Sequence, residues 1–166
     1  MIILGIDPGL AIVGYGVVEY KNNKFRTIDY GAITTPAGMD TVERLELIYK
    51  GMNQLFHMYD IDEVGVEELF FNKNVKTAIT VAQARGVILL SCKHHYKPVF
   101  EYTPLQIKQG VCGYGRADKY QVQRMVTSFL NLKSVPKPDD VADALAVSIC
   151  HAHSNRLDKE LDRYGL

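Results

Sequence analysis

The chain has 166 residues, of which 47% are hydrophobic and 23% charged, so it is long enough for a substantial core and too apolar for a disordered chain. Lys plus Arg and Asp plus Glu each number 19, which leaves no net charge. The sequence has no run of about 18 apolar residues and no basic start of a signal peptide. Its three cysteines do not form the pattern of a disulfide framework. These features predict a cytoplasmic protein with one domain, residues 1–166, whose last ten or so residues, about 157–166, are a candidate loose tail.

The first part of the chain is rich in strand-forming residues. The apolar run at 2–7 and the β-branched and aromatic stretches at 13–20 and 24–34 are each predicted as a strand. Residues 21–23 between the last two are typical of a hairpin turn. Three strands in succession without a helix between them favour antiparallel pairing.

Helices and strands alternate in the middle of the chain. Apolar residues three and four apart predict a helix over 41–59, with Asp40 as its N-cap, and a longer one over 75–96. Each is followed by a short apolar strand, at 63–69 and at 99–102. Three further helices are predicted near 104–111, 117–131 and 139–153. Strands reached through helices favour parallel pairing, so the sequence predicts an α/β fold, a mixed five-stranded sheet with helices on both faces.

The zero net charge conceals an uneven distribution of charge. Residues 1–71 carry a balance of −6, residues 72–133 a balance of +8 and residues 134–166 a balance of −2. A basic middle can contact phosphates while acidic ends hold a cation, as a metal-dependent nucleic-acid enzyme requires. A solvated helix face would give the same bias, so charge alone leaves both interpretations open.

Acidic residues lie at the ends of two predicted strands. Asp7 ends the first strand, where open α/β sheets place ligands. Glu67 and Glu68 lie near the end of strand 63–69. Alternation puts these two glutamates on opposite faces of the sheet and does not say which of them faces a site.

Three more acids begin the last predicted helix. Asp140 and Asp143 are three residues apart and share a face of the helix, whereas Asp139 is a candidate N-cap. Together with the acids at the strand ends they offer the oxygen ligands that Mg²⁺ prefers. Two such ions can activate water and stabilise the leaving oxygen in phosphodiester hydrolysis, which makes this chemistry a candidate.

Several motifs carry a resemblance to a known family. They are LGIDPG at 4–9 with the glycines that flank Tyr15, VEELFFNKN at 66–74, AQARG at 82–86, IKQGVCGYGRADKYQV at 107–122 and DDVADALAVSICHAH at 139–153. In this order, over nearly the whole chain, they resemble the RuvC family of bacterial Holliday junction resolvases. The resemblance implies an RNase H-like fold and a homodimer that nicks four-way DNA junctions in pairs. It also implies two Mg²⁺ per active site, with Mn²⁺ as a substitute, and cooperation with the RuvA–RuvB branch-migration complex.

The resemblance assigns the catalytic and metal-binding role to four acids: Asp7, Glu67, Asp140 and Asp143. Glu67 is favoured over Glu68 because the family's acid directly follows the last apolar residue of the strand. Asp140 is favoured over Asp139 because the family's pair of acids is spaced three apart before Ala-Leu. Asp139 is an additional acid beside this pattern, so the choice between these two neighbours stays open.

One aromatic and six basic residues are predicted to contact DNA: Phe70, Lys73, Lys76, Arg85, Lys108, Arg116 and Lys119. By resemblance, Lys108 and Lys119 correspond to family lysines near the scissile phosphate. Phe70 corresponds to an aromatic residue that wedges against bases at the crossover. On residue type alone, Phe70 is better explained as part of the core, because aromatic side chains bury large areas. The polar Asn-Lys-Asn that follows favours exposure of one of the two rings at 70 and 71.

Other functions stay open as alternatives. LGIDPG before a glycine-containing hairpin also resembles the phosphate-binding opening of actin/hexokinase-type ATPases, which need two such domains and a longer chain. Small RNase H-like nucleases that process rRNA are disfavoured by the DDVADAL helix and the Phe-Phe-Asn-Lys-Asn loop. A non-catalytic junction-binding module would not need all four acids. A zinc site at His94 and His95 or at His151 and His153 is disfavoured because no cysteine has the paired ligand spacing.

The helix at 75–96 is the predicted dimer interface. It is apolar on more than one side, and Gly86 within it would let a neighbouring backbone approach closely. A chain with one acid cluster can make only one cut, so paired symmetric cuts predict a two-fold dimer with two sites.

Overall fold

Five strands pair into one mixed sheet: β1 (Ile2–Asp7), β2 (Ile12–Lys21), β3 (Lys24–Thr34), β4 (Glu63–Glu67) and β5 (Val99–Tyr102). Their order across the sheet is β3-β2-β1-β4-β5. The first three strands pair antiparallel, whereas β4 pairs in parallel with both β1 and β5. This computed structural model describes residues 1–69 and 75–164, and only the backbone of 75–77 and 156–164.

Five helices cover the two faces of the sheet: α1 (Thr41–Met58), α2 (Val75–His94), α3 (Pro104–Cys112), α4 (Lys119–Phe129) and α5 (Asp139–Tyr164). α1 and α2 pack on one face, and their buried apolar side chains join those of β1 and β4 in one core. α3, α4 and α5 pack on the other face in a second core. The predicted α/β class, with a mixed five-stranded sheet between two layers of helices, is confirmed. No helix in the described part of the chain is long and apolar enough to cross a membrane.

Several element boundaries differ from the sequence prediction by a few residues: β4 ends at Glu67 instead of residue 69, α2 at His94 instead of 96, and α4 at Phe129 instead of 131. Two further differences have a clear physical reason. α5 continues to Tyr164 instead of ending near 153, because neither proline nor glycine interrupts the chain before Gly165. The sequence pattern predicts the helix only as far as its apolar stripe runs, to about 153. α4 begins at Lys119, two residues later than predicted, since Asp118 and Gln121 form a capping box in which each side chain accepts a hydrogen bond from the other residue's amide.

Glycines let α5 lie directly on the sheet. Gly16, Gly5 and Gly65 are paired across β2, β1 and β4, and a side chain at any of them would press on α5. A Cβ at Gly14 would overlap the backbone oxygen of Asp140 in the first turn of the helix. This close approach brings the N-terminus of α5 to the end of β1.

Candidate active site

Two of the predicted acids end neighbouring parallel strands. Asp7 is the last residue of β1, and Glu67 is the last residue of β4. Ile6 lies opposite Val66 in the parallel pairing, so the two acidic ends lie side by side. Alternation along each strand turns both carboxylates to the face that α5 covers.

The other two predicted acids lie in the N-terminal part of α5. Asp140 and Asp143 are three residues apart and share a side of the helix. The charges of both carboxylates raise the pKa of Asp7, and so does the charge of Glu67. The fold therefore brings four predicted acids from three elements to one place.

Burial and like charge make Asp7 and Glu67 hard to ionise. The pKa of Asp7 is raised from 3.8 to about 8, first by burial and then by the charges of Glu67, Asp143 and Asp140. The pKa of Glu67 is raised from 4.5 to about 7 by burial and by the charge of Asp143. Lys119 opposes both shifts. Both shifts favour whatever neutralises the charge of the cluster, whether a proton or a cation.

Lys119 is the cation that the structure places against these carboxylates. Its Nζ donates a hydrogen bond to Asp143 Oδ2 at 3.2 Å and lies 3.4 Å from Asp139 Oδ2. Partial burial lowers the pKa of Lys119, but its bonds to the two aspartates outweigh this effect and raise it. The pKa of Asp143 is nevertheless raised, because burial outweighs the hydrogen bond from Lys119.

The structure separates the two pairs of neighbouring acids that the sequence left open. The amide of Glu68 continues the ladder to Tyr102, so alternation turns the Glu68 side chain to the sheet face opposite Glu67. Asp139 pairs at the surface with Lys137 at 2.6 Å, and hydrogen bonds from Lys137 and Lys119 hold its pKa below the usual value. The geometry thus favours Glu67 and Asp140 as members of the cluster.

A cavity of about 250 Å³ opens beside the cluster. It is lined by side chains from β4, α3, α4 and α5: Glu67, Pro104, Ile107, Lys108, Lys119, Val122, Asp143 and Ala146. Two lysines and two carboxylates therefore face the same space. A phosphate there would meet both the cations and any metal ion that the carboxylates hold.

The carboxylates fit a cation that completes its coordination with other ligands. Among the residues that the structure describes, no three Asp, Glu, His or Cys side chains close around one point as a full protein cage. Mg²⁺ is usually bound through one or two carboxylates, with water and substrate phosphate filling the other positions. A set of four acidic side chains, rich in oxygen and lacking thiolate or imidazole, has the donor chemistry of such a site.

The predicted DNA contacts are distributed unequally around this site. Lys108 and Lys119 line the cavity, and Arg116 is exposed on the loop between α3 and α4. Arg85 pairs instead with Glu101 of β5, and its side chain is mostly buried. In the structure, Arg85 therefore forms an ion pair within the protein.

Three residues predicted to contact DNA have side chains outside the described part of the chain. Phe70 and Lys73 are outside the described residues. Lys76 belongs to the first turns of α2, where only the backbone is described. These three residues stay predictions.

Arg44 is a functional candidate that the sequence analysis did not identify. It lines a second cavity together with Asp140, on the side of the sheet where α1 and α2 pack. The available signal was a cation in the first turn of a helix, where the helix dipole favours an acid. Charge counting over residues 1–71, which include Arg26 as well as Arg44, does not single out this arginine.

Comparisons with known proteins give one consistent result. A family model described as crossover junction endodeoxyribonuclease RuvC matches residues 3–151. The crossover junction endodeoxyribonuclease RuvC of Clostridioides difficile is 74% identical over 165 residues, which are 99% of this chain and 98% of that protein. The RuvC of Halothermothrix orenii is 59% identical over 99% of this chain and 100% of its own.

Solved structures agree with the sequence comparisons. Thermus thermophilus RuvC in complex with Holliday junction substrate superposes with a TM-score of 0.91 at 35% identity, covering 95% of this chain and 96% of that chain. The yeast mitochondrial Holliday junction resolvase has a TM-score of 0.72 at 12% identity, covering 98% of this chain and 83% of that chain. The latter likeness shows a common fold alone.

Proposed function

The chain belongs to the RuvC family of crossover junction endodeoxyribonucleases, and on that premise we propose that its four clustered carboxylates hydrolyse phosphodiester bonds at four-way DNA junctions. Its α/β fold is the RNase H-like fold of that family. The protein is a Holliday junction endonuclease of DNA recombination and repair. We further propose the residues, ions and partners through which it acts.

The observation that carries the proposed chemistry is the convergence of acids and lysines at one edge of the sheet. Asp7, Glu67, Asp140 and Asp143 would hold Mg²⁺, two ions in each site, with Mn²⁺ as a substitute. Bound divalent ions supply Lewis-acid stabilisation of the phosphate and a water of lowered pKa. The raised pKa values of Asp7 and Glu67 support this role, because a cation relieves the same repulsion that a proton does.

The two lysines of the cavity act on the substrate phosphate. Lys119 lies in hydrogen-bond contact with Asp143, at the point where the carboxylates meet the cavity. Lys108 lines the same cavity, and its charge opposes the rise in the pKa of Glu67. We infer that both stabilise negative charge that develops at the phosphate and leaving oxygen.

A homodimer provides the second site that paired cutting requires. Ile79 and Leu90 of α2 are exposed apolar side chains, at 56% and 51%. A Cβ at Gly86 would meet none of the described residues within 4 Å, so this part of α2 is open to a partner. We propose that α2 of one protomer packs against α2 of the other. Phe70, Lys73, Lys76 and Arg116 are proposed to contact the junction, and Arg85 would have to leave Glu101 to join them.

The biological setting follows from the family and from the substrate. Junction DNA and a reducing environment for Cys92, Cys112 and Cys150, which are all free thiols, are both found in the cytoplasm. We propose that the dimer acts there on junctions delivered by the RuvA–RuvB branch-migration complex. The whole chain acts as a single nuclease domain.

Nicking of an end-labelled four-way junction tests the proposal. The protein should cut two opposite strands symmetrically near the crossover when Mg²⁺ is present, and should bind without cutting when a chelator removes it. Linear duplex of the same sequence is the control substrate. Junction binding without any cutting in Mg²⁺ or Mn²⁺ would contradict the proposal and favour a non-catalytic binding module.

A further inference from the structure

A second cavity reaches the carboxylate cluster from the opposite side of the sheet. Its volume is about 350 Å³, and it is lined by the turn between β1 and β2, by Arg44, by Thr80 and Val81 of α2, and by Asp140. The first cavity, which Lys108 and Lys119 line, reaches Asp143, about one helical turn further along α5. The two cavities therefore flank the N-terminal part of α5, with the carboxylates between them.

Arg44 is held in a defined position in this second cavity. Its Nε donates a hydrogen bond to Thr35 Oγ1 at 2.7 Å. Thr35 is buried, its hydroxyl donates to the carbonyl of Leu10 at 2.6 Å, and its amide donates to the carbonyl of Ala11 at 3.0 Å. The guanidinium is thus fixed against the turn that follows Asp7.

The charge of Arg44 has no partner among the described residues. Arg26 and Arg85 pair with Glu19 and Glu101, whereas no described acid forms an ion pair with Arg44. The guanidinium has five donors, of which the bond to Thr35 uses one at Nε. Arg44 is half-buried and lies at the positive end of the α1 dipole, which disfavours a cation. An arginine kept at such a place without a counter-charge indicates a site for an anion.

We propose that Arg44 binds a backbone phosphate of the strand that is being cut, next to the scissile linkage. The planar fork of a guanidinium matches a phosphate in two parallel hydrogen bonds. Lys108 and Lys119 lie on one side of the carboxylates and Arg44 on the other, so positive charge flanks the acids that would otherwise repel the strand. Arg44 is a positioning residue, and this role rests on the proposed function.

Junctions with a single neutral methylphosphonate linkage test this contact. One linkage beside the scissile phosphate should reduce cleavage by the wild-type protein about tenfold at subsaturating enzyme, the loss expected for one charge-assisted phosphate contact. Arg44→Gln, which can still donate to Thr35 but has no charge, should cleave the unmodified junction about tenfold more slowly. It should lose no further activity when that same linkage is neutral. A purely structural role for Arg44 would slow cleavage of every junction equally and leave the sensitivity to the linkage intact.

The controls separate this contact from stability and from the proposed function. Lys50→Gln changes an exposed lysine of the same helix, paired with Glu46, and should keep the wild-type sensitivity. Arg44→Lys keeps the charge without the planar fork, so its sensitivity should be weaker than that of the wild type, which gives a second measurement if Arg44→Gln does not fold. Wild-type sensitivity at every linkage in a folded Arg44→Gln or Arg44→Lys would overturn the inference. Failure of the wild-type protein to cut any junction would instead overturn the proposed function.

Discussion

Lys119 Nζ lies 3.2 Å from Asp143 Oδ2 and 3.4 Å from Asp139 Oδ2, so one ammonium group bridges an acid of the cluster and an acid of the surface. The first contact places a positive charge inside the carboxylate cluster, where it opposes the raised pKa of Asp7 and of Glu67. The structure thus places this lysine against acids. A phosphate in the cavity would compete with them for the same ammonium group.

Lys119→Ala is expected to slow cleavage more than it weakens junction binding. If Lys119 stabilises charge at the scissile phosphate, turnover at saturating enzyme should fall about 10²-fold. Lys137→Ala is the matched control, because Lys137 contacts Asp139 alone among these acids. Single-turnover cleavage and a binding titration measure the two effects separately. Unchanged turnover with a reduced salt dependence of binding would move Lys119 to simple phosphate contact.

Neutral replacements of the four acids should abolish nicking and leave junction binding intact. The variants are Asp7→Asn, Glu67→Gln, Asp140→Asn and Asp143→Asn. Binding should be unchanged or tighter, since each variant removes a negative charge that repels phosphate. Glu68→Gln and Asp139→Asn are the controls, because one faces the other side of the sheet and the other is paired at the surface. Full activity in Asp140→Asn together with loss in Asp139→Asn would reverse the assignment.

Asp7→Asn should stabilise the metal-free protein at neutral pH. The folded state raises the pKa of Asp7 from 3.8 to about 8, so between these values it holds a proton that the unfolded chain has released. The free energy of unfolding therefore falls as the pH rises from about 4 to about 8. Replacing the acid removes this penalty and should add about 1–3 kcal/mol at pH 7.5, with little effect below pH 4.

Thermal unfolding in a chelator at several pH values measures this difference. Mg²⁺ should raise the melting temperature of the wild-type protein more than that of Asp7→Asn, because the ion relieves the same repulsion. Lys50→Gln, far from the cluster, should follow the wild-type profile. A melting temperature of Asp7→Asn that is lower than wild type at pH 7.5 would show that Asp7 is not destabilised by its neighbours.

The order and type of the elements were predictable because each depends on local pattern. Strand alternation and helical periodicity are properties of neighbouring residues, and the three-residue spacing of Asp140 and Asp143 fixes their common face. Glu67 and Glu68 could not be told apart in this way, because the choice depends on which sheet face α5 covers. That face is set by Gly5 and its paired glycines, which are far apart in sequence.

Buried polar contacts were also invisible to pattern analysis. From the sequence, His151 is no more than a disfavoured zinc ligand, whereas the structure places it fully buried between two polar side chains. Its Nδ1 lies 2.7 Å from the hydroxyl of Tyr102, and its Nε2 lies 2.7 Å from Glu63 Oε2. The three residues come from α5, β5 and β4, so only the fold brings them together.

Gly14→Ala should disrupt the site by pushing α5 away from the sheet. A Cβ at Gly14 overlaps the backbone oxygen of Asp140, and backbone cannot rotate away. We expect a lower melting temperature and, in the molecules that stay folded, weaker Mg²⁺ binding and slower cleavage. Gly31→Ala is the control, since its Cβ would meet the far end of the Tyr15 side chain, which can move. Equal cleavage per folded molecule in both variants would show that the position of α5 does not determine that of Asp140.

A charged residue on the exposed side of α2 should break the dimer and uncouple the two cuts. Leu90→Asp places a carboxylate at a half-exposed apolar position, and in a dimer built through α2 it would bury an unpaired charge. Val42→Asp, at an even more exposed apolar residue of α1, is the matched control and should stay dimeric.

Sedimentation at micromolar concentration measures the oligomeric state, and a supercoiled plasmid with an extruded cruciform reports the cuts. Paired cuts in one binding event give linear DNA, whereas uncoupled nicks give open circles. Leu90→Asp should shift the product to open circles, and a monomer that still gives linear DNA directly would contradict the need for a dimer.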